Sequence, residues 1–147
     1  MRVVIQRVKK AEVEVAGQSV GRIDQGLLVF LGIACDDSTS SADYLIKKIT
    51  ELRIFEDVQG KMNLSAQELN AHFLVVSQFT LYGNCDKGRR PSFDEAADPI
   101  KGEKLYNYFV TRLKDTKAVV ETGKFRAMME VSLINDGPVT FIIDSKS

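Results

Sequence analysis

Ser77-Gln78-Phe79-Thr80-Leu81 puts two hydroxyls and an amide at the end of an apolar run, Phe73-Leu74-Val75-Val76. A strand whose end turns polar often opens onto a site. Thr80 is placed to act as a nucleophile or to orient one, but a hydroxyl needs a base beside it. Bases are scarce in this chain. His72 is its one histidine, and a lone histidine just before a strand is more often surface or satisfied core than a catalyst. A Cys85–His72 pair is a formal alternative. The chain has no GxSxG elbow, no Gly-rich phosphate loop, no HExxH and no pair of carboxylates marked out by spacing. An enzyme made from these residues would work with hydroxyls, backbone groups and the substrate's own atoms.

The second notable stretch is Asn135-Asp136-Gly137-Pro138-Val139-Thr140, between the mostly apolar Met129–Ile134 and the apolar Phe141–Ile143. Gly137 accepts backbone angles closed to other residues, and Pro138 has no N–H to donate. The corner can therefore present bare carbonyl oxygens. By spacing alone it reads as a hairpin turn joining two strands. A third stretch, Lys87-Gly88-Arg89-Arg90-Pro91, carries three cations against Asp86. It is either a solvated loop or a phosphate-contacting patch.

The remaining elements have to position these stretches. A chain of 147 residues with 44% hydrophobic content suits one domain, 1–147, with a real core. Formal net charge is zero, so any nucleic-acid partner must be met by a local patch. No apolar run approaches a membrane span and the start lacks a signal peptide's layout, so a soluble, cytoplasmic protein is expected. The two cysteines, fifty residues apart and without a CxxC, are expected to be free thiols, and no metal site or cofactor is expected.

Arg2–Val8 and Ala11–Val15 read as strands, and the uncharged run Leu27–Ile33 as a strand buried on both faces. From Ser40 to Leu52 the spacing of Leu45, Ile49 and Leu52 predicts a helix. Arg53–Glu56 is a short strand candidate, and Ser65-Ala66-Gln67-Glu68 has the form of a capping box. Asp98-Pro99 starts what should be the longest helix, with Leu105, Phe109 and Leu113 on its apolar face. Ala118–Thr122 is a further strand. The expected fold is a single compact α/β domain, strand-rich, with two main helices.

Ser77–Leu81 and Asn135–Thr140 resemble the two signature motifs of the D-aminoacyl-tRNA deacylases, also called D-tyrosyl-tRNA deacylases. The resemblance extends to Gln6-Arg7-Val8, to Gly60–Ser65 and to Arg90-Pro91-Ser92-Phe93, in the expected order and at family length. Ser77, Gln78, Phe79 and Val139 match the main group of the family and not a related group that differs at these positions.

The resemblance implies a β-barrel-like α/β fold, a homodimer with sites at the subunit interface, and a cis Gly137–Pro138 bond reaching into the partner's pocket. The implied reaction is hydrolysis of the ester joining a D-amino acid to the terminal adenosine of tRNA, releasing the free D-amino acid and the tRNA. Glycyl-tRNA would also be cleaved, and L-aminoacyl-tRNA excluded by the Gly137-Pro138 corner. Thr80 and Phe79 would be the catalytic positions, with backbone N–H groups there as oxyanion donors. Ser77, Gln78, Gly137, Pro138, Arg7 and Met129 would bind substrate, Ser77 and Gln78 through the ribose or adenine. Arg7 would hold the corner, since a buried guanidinium seeks carbonyl or carboxylate partners. With no base beside Thr80, assistance by the 2′-hydroxyl of the terminal ribose is the preferred expectation. Two rival readings are a non-catalytic module for tRNA ends or nucleotides, and an unrelated hydrolase using Cys85.

Overall fold

The computed structural model describes residues 1–145; residues 146 and 147 of the expected domain lie outside it. Its centre is β1 (Arg2–Val15), which is long enough to pair with three other strands. β2 (Gln18–Ile23) lies antiparallel along its second half and β3 (Gly26–Gly32) along its first half. The final strand, β8 (Glu130–Asp144), runs antiparallel along both halves on the other side. β6 (His72–Ser77) pairs parallel with β3, and β7 (Val120–Thr122) parallel with β6, which makes a six-stranded sheet. β2 comes back against β7, so the sheet curls into a nearly closed barrel. A separate small ribbon joins β4 (Phe55–Glu56) and β5 (Met62–Leu64).

Two helices cover one face of the sheet. α1 (Thr39–Glu51) buries Ala42, Leu45, Ile46 and Ile49, a helical stripe, against Val3, Ile5, Leu27 and Val29. α3 (Pro99–Asp115) begins at Asp98, whose carboxylate accepts the Lys101 N–H at 3.0 Å, and buries Leu105, Tyr106, Phe109 and Leu113. Between them in the chain, α2 (Ala66–Leu69) is a single turn closed by the reciprocal Ser65–Glu68 capping box. Along β3, Leu27, Val29 and Leu31 face the helices while Leu28 joins Val8, Val13, Ile23 and Leu74 inside the barrel. Burial on both faces accounts for the strand's lack of charge.

Four expectations need correction. Arg2–Val8 and Ala11–Val15 are one strand, continued through Lys9 and Lys10, whose side chains are exposed. Gln18–Ile23 was not expected as a strand, because it shows most of its residues to solvent and has no apolar alternation. The strand that begins at His72 stops at Ser77, and Phe79–Tyr82 forms a 3-10 turn. Lastly, the Asn135–Thr140 corner is not a hairpin. Asn135 pairs with Val8 and Thr140 with Gln6, so residues 136–139 bulge out opposite Arg7 alone while β8 keeps its direction. A turn and a bulge call for the same local residues; having β1 as partner on both sides decides for the bulge.

Candidate active site

Ser77 closes β6, and Gln78 leads into the 3-10 turn Phe79–Tyr82. The turn lies directly on β3 because Gly32 has no side chain; a β-carbon there would sit 2.9 Å from Leu81 Cβ. Beside the turn opens a cleft of about 400 Å³. Ser77, Gln78 and Phe79 form one wall, Asp98, Pro99 and Gly102 of α3 a second, and Phe125–Met129 a third. Met129 is fixed there through its Sδ, which accepts the Lys124 N–H at 3.4 Å. The Phe79 ring is 57% exposed and is steadied edge-on by Phe93, 5.0 Å away between centroids.

Thr80 is exposed, and its hydroxyl is held by the side-chain amide of Gln78. An amide is no base in either orientation, so nothing described takes the Thr80 proton. Tyr82, in the same turn, is no better a candidate. Burial, helped by Asp37, pushes its hydroxyl well above the ordinary tyrosine value, and it stays protonated. His72 begins the strand that Ser77 ends, which separates them by roughly 16 Å. Cys35 and Cys85 are free and exposed. What the turn does offer is backbone donors. Phe79 and Thr80 occupy its first positions, where N–H groups have no acceptor within the turn. They are available to an oxyanion at the cleft wall.

The other three expected site residues lie apart from this cleft, at the β8 bulge. Arg7 is 4% exposed, with Nε donating to the Asp136 carbonyl at 3.1 Å and Nη1 to the Ile54 carbonyl at 2.8 Å. The Asp136 and Glu56 carboxylates stand 3.5 Å and 3.7 Å from the guanidinium. Asn135 Oδ1 accepts the Val139 N–H at 2.8 Å, closing the bulge from within. The Gly137–Pro138 peptide is cis, and Gly137 has φ +134°, a region that favours glycine. A β-carbon on Gly137 would lie 2.7 Å from Val139 Cγ2 and 3.2 Å from Arg7 Nη2. Gly137→Ala is expected to cost about 1–3 kcal/mol from backbone strain alone. A thermal melt should show a midpoint lowered by roughly 3–10 °C, whereas an unchanged midpoint would mean that the bulge is free to relax.

The structure thus gathers Ser77, Gln78, Phe79 and Met129 in one cleft with Thr80 at its edge, and Arg7, Gly137 and Pro138 at a second place. Residue-by-residue reading passed over Phe125, Arg126 and Met128, which also line the cleft but sit in a loop without periodicity. Among the described residues no three or more His, Cys, Asp or Glu side chains are grouped to hold a metal, and no helix is long and apolar enough to cross a membrane.

A barrel-like α/β domain with an open, base-poor cleft beside a strand end is a fold with known relatives. Residues 4–144 match the family model described as D-Tyr-tRNA(Tyr) deacylase. The chain is 60% identical to the D-aminoacyl-tRNA deacylase of Desulfatibacillum aliphaticivorans, covering 99% of this chain and 100% of that protein. It is 58% identical to the enzyme of the same name from Thermosipho africanus (strain TCF52B), covering 99% and 98%. Among solved structures, one described as c-Myc DNA Unwinding Element Binding Protein superposes with a TM-score of 0.94 at 38% identity over 100% of both chains. Another, described as a probable eukaryotic D-amino acid tRNA deacylase, shares the fold with a TM-score of 0.87 at 19% identity over 97% and 98%. The chain belongs to the D-Tyr-tRNA(Tyr) deacylase family.

Proposed function

We infer that this chain is a D-aminoacyl-tRNA deacylase, which hydrolyses the ester of D-aminoacyl-tRNA to free D-amino acid and tRNA. The observation that carries the reading is the Ser77–Phe79 wall of the cleft, in a chain matched to the family over residues 4–144. An aminoacyl ester is already activated, so it needs orientation and oxyanion donors more than a strong base. The Phe79 and Thr80 N–H groups face the developing oxyanion. Ser77 and Gln78 hold the terminal adenosine, and Phe79 lines the pocket. The attacking water takes its help from the substrate's 2′-hydroxyl. Incubation with D-tyrosyl-tRNA, following ester loss, tests the reading directly.

The working unit is a homodimer. Among the described residues β8 pairs with β1 alone and leaves its outer edge open, with Ile134, Phe141 and Ile142 exposed at 46%, 38% and 69%. An open edge carrying apolar side chains is suited to a second copy. In that dimer the Gly137–Pro138 corner of one subunit, braced by Arg7, enters the cleft of the other and completes a site that neither copy holds alone. Such a proofreading enzyme works in the cytoplasm, where aminoacyl-tRNA is made and used.

The exposed cations Lys87, Arg89 and Arg90 bind tRNA phosphates. Their loop is tied at its base by the Asn84–Ser92 bridge, next to the Phe93 ring that steadies Phe79. Arg89→Ala with Arg90→Ala is expected to lower the slope of log K against log salt by about 0.7–0.9 for each phosphate no longer neutralised. Titration of tRNA at several salt concentrations gives the slope, and no change would make the loop merely solvated.

A further inference from the structure

A second hollow, of about 340 Å³, lies against the cleft and shares Pro99 and Arg126 with it. It runs along the exposed face of α3 past Ile100, Glu103, Lys104 and Asn107. From Pro99 to Asn107 this is about 12 Å of helix surface. Arg126 and Lys104 are exposed, and neither makes an ion pair among the described residues. Against them stands one carboxylate, Glu103, so the hollow is positive by one.

Arg126 also has φ +64°, a left-handed conformation that is unfavourable for a residue carrying a side chain. Strain at a side chain bordering two cavities is a reason to look for function there. Met128 and Ile100 flank the pair at 92% and 85% exposure, apolar side chains left open beside the two cations.

We propose that the strip formed by Arg126, Lys104 and Asn107 is the track for the sugar-phosphate backbone of the nucleotides just before the terminal adenosine. The inference rests on the deacylase reading. With the ester at Ser77–Phe79 and the terminal ribose in the cleft, the preceding strand has to leave through an open side. Where the cleft meets the second hollow, two unpaired cations line the way. Arg126 takes the phosphodiester next to the terminal adenosine, Lys104 takes the one before it, and the Asn107 amide reaches a 2′-hydroxyl or base edge. The partner is single-stranded RNA at the 3′ end, which separates this strip from the Lys87–Arg90 loop.

The test compares D-tyrosyl-tRNA with D-tyrosyl-adenosine, which has no such phosphates. For Arg126→Ala combined with Lys104→Ala, kcat/KM should fall at least tenfold more on the tRNA than on the adenosine ester. The salt dependence on tRNA should become shallower by about 1.4, two single-strand phosphates at about 0.7 each. Glu103→Gln should move tRNA turnover the other way, upward at low salt. Equal losses on both substrates, or an unchanged salt slope, would overturn the track and leave the deacylase reading intact. A wild-type enzyme that hydrolyses neither ester would overturn that reading, and the track with it.

Discussion

L-Tyrosyl-tRNA is expected to be hydrolysed at least about two orders of magnitude more slowly than D-tyrosyl-tRNA on the same tRNA. The proposed cause is the backbone corner at Gly137 and Pro138, which in the proposed dimer enters the partner's cleft. It has neither a glycine side chain nor a proline N–H, so it can meet the substrate's α-carbon at close range with carbonyl oxygens. In that arrangement those oxygens would accept bonds from the α-ammonium group. A D-amino acid then sends its side chain out through the open side, and many D side chains should be tolerated. An L-amino acid in the same pose drives its β-carbon into backbone that Arg7 and the Asn135–Val139 bond hold in place. Exclusion by clash exceeds the 1–3 kcal/mol that a methylene typically brings by attraction. Glycine has no β-carbon and escapes the filter, so measurable glycyl-tRNA cleavage should accompany D-activity. Rates on D-, L- and glycyl-tRNA measured side by side check this, and comparable D and L rates would remove the corner from the account.

Removing the 2′-hydroxyl of the terminal ribose should be nearly as damaging. Proton transfer by a positioned group contributes about 10²–10⁴-fold, and the one carboxylate among the residues lining the cleft, Asp98, is engaged as the cap of α3. The Thr80 hydroxyl is bonded to the Gln78 amide, Tyr82 is held protonated, and His72 lies at the far end of β6. A tRNA ending in 2′-deoxyadenosine and charged at the 3′ position should therefore lose at least about a hundredfold in kcat. Thr80→Ala should stay within about tenfold of wild type, because it removes an orienting hydroxyl and not a nucleophile. A Thr80→Ala enzyme of native fold with no turnover would reverse the assignment and make Thr80 the reacting group.

Much of the fold was legible because burial leaves a plain mark. The uncharged Leu27–Ile33 run reads as a strand covered on both faces, and the spacing of Leu45 and Ile49 or of Leu105, Phe109 and Leu113 reads as a helix with one apolar face. Ser65 and Glu68 form the capping box that their spacing predicts. Legibility failed where long-range pairing decides. Lys9 and Lys10 interrupt the apolar pattern, yet β1 continues past them, with an irregularity at Lys9, because β8 stays paired with Val8 and Lys10 on either side of it. The same partnership turns an apparent hairpin at Gly137 into a bulge.

The site divides in the same way. The switch to polar residues after Val76 pointed to Ser77–Thr80, and one wall of the cleft is there. The opposite wall comes from a loop, where Phe125, Arg126 and Met128 follow no period and carry no motif. The motif at Gly137 was visible, but nothing local reveals that it stands away from its own chain's cleft. Only a register with β1 puts it there.

The most direct test is multiple-turnover deacylation of D-tyrosyl-tRNA by a trace of purified protein, following both ester loss and release of D-tyrosine. The expected result is many turnovers per subunit, with one free D-tyrosine and one intact tRNA for each ester consumed. Tight binding of the charged tRNA with the ester left standing would contradict the account and make the protein a binding module.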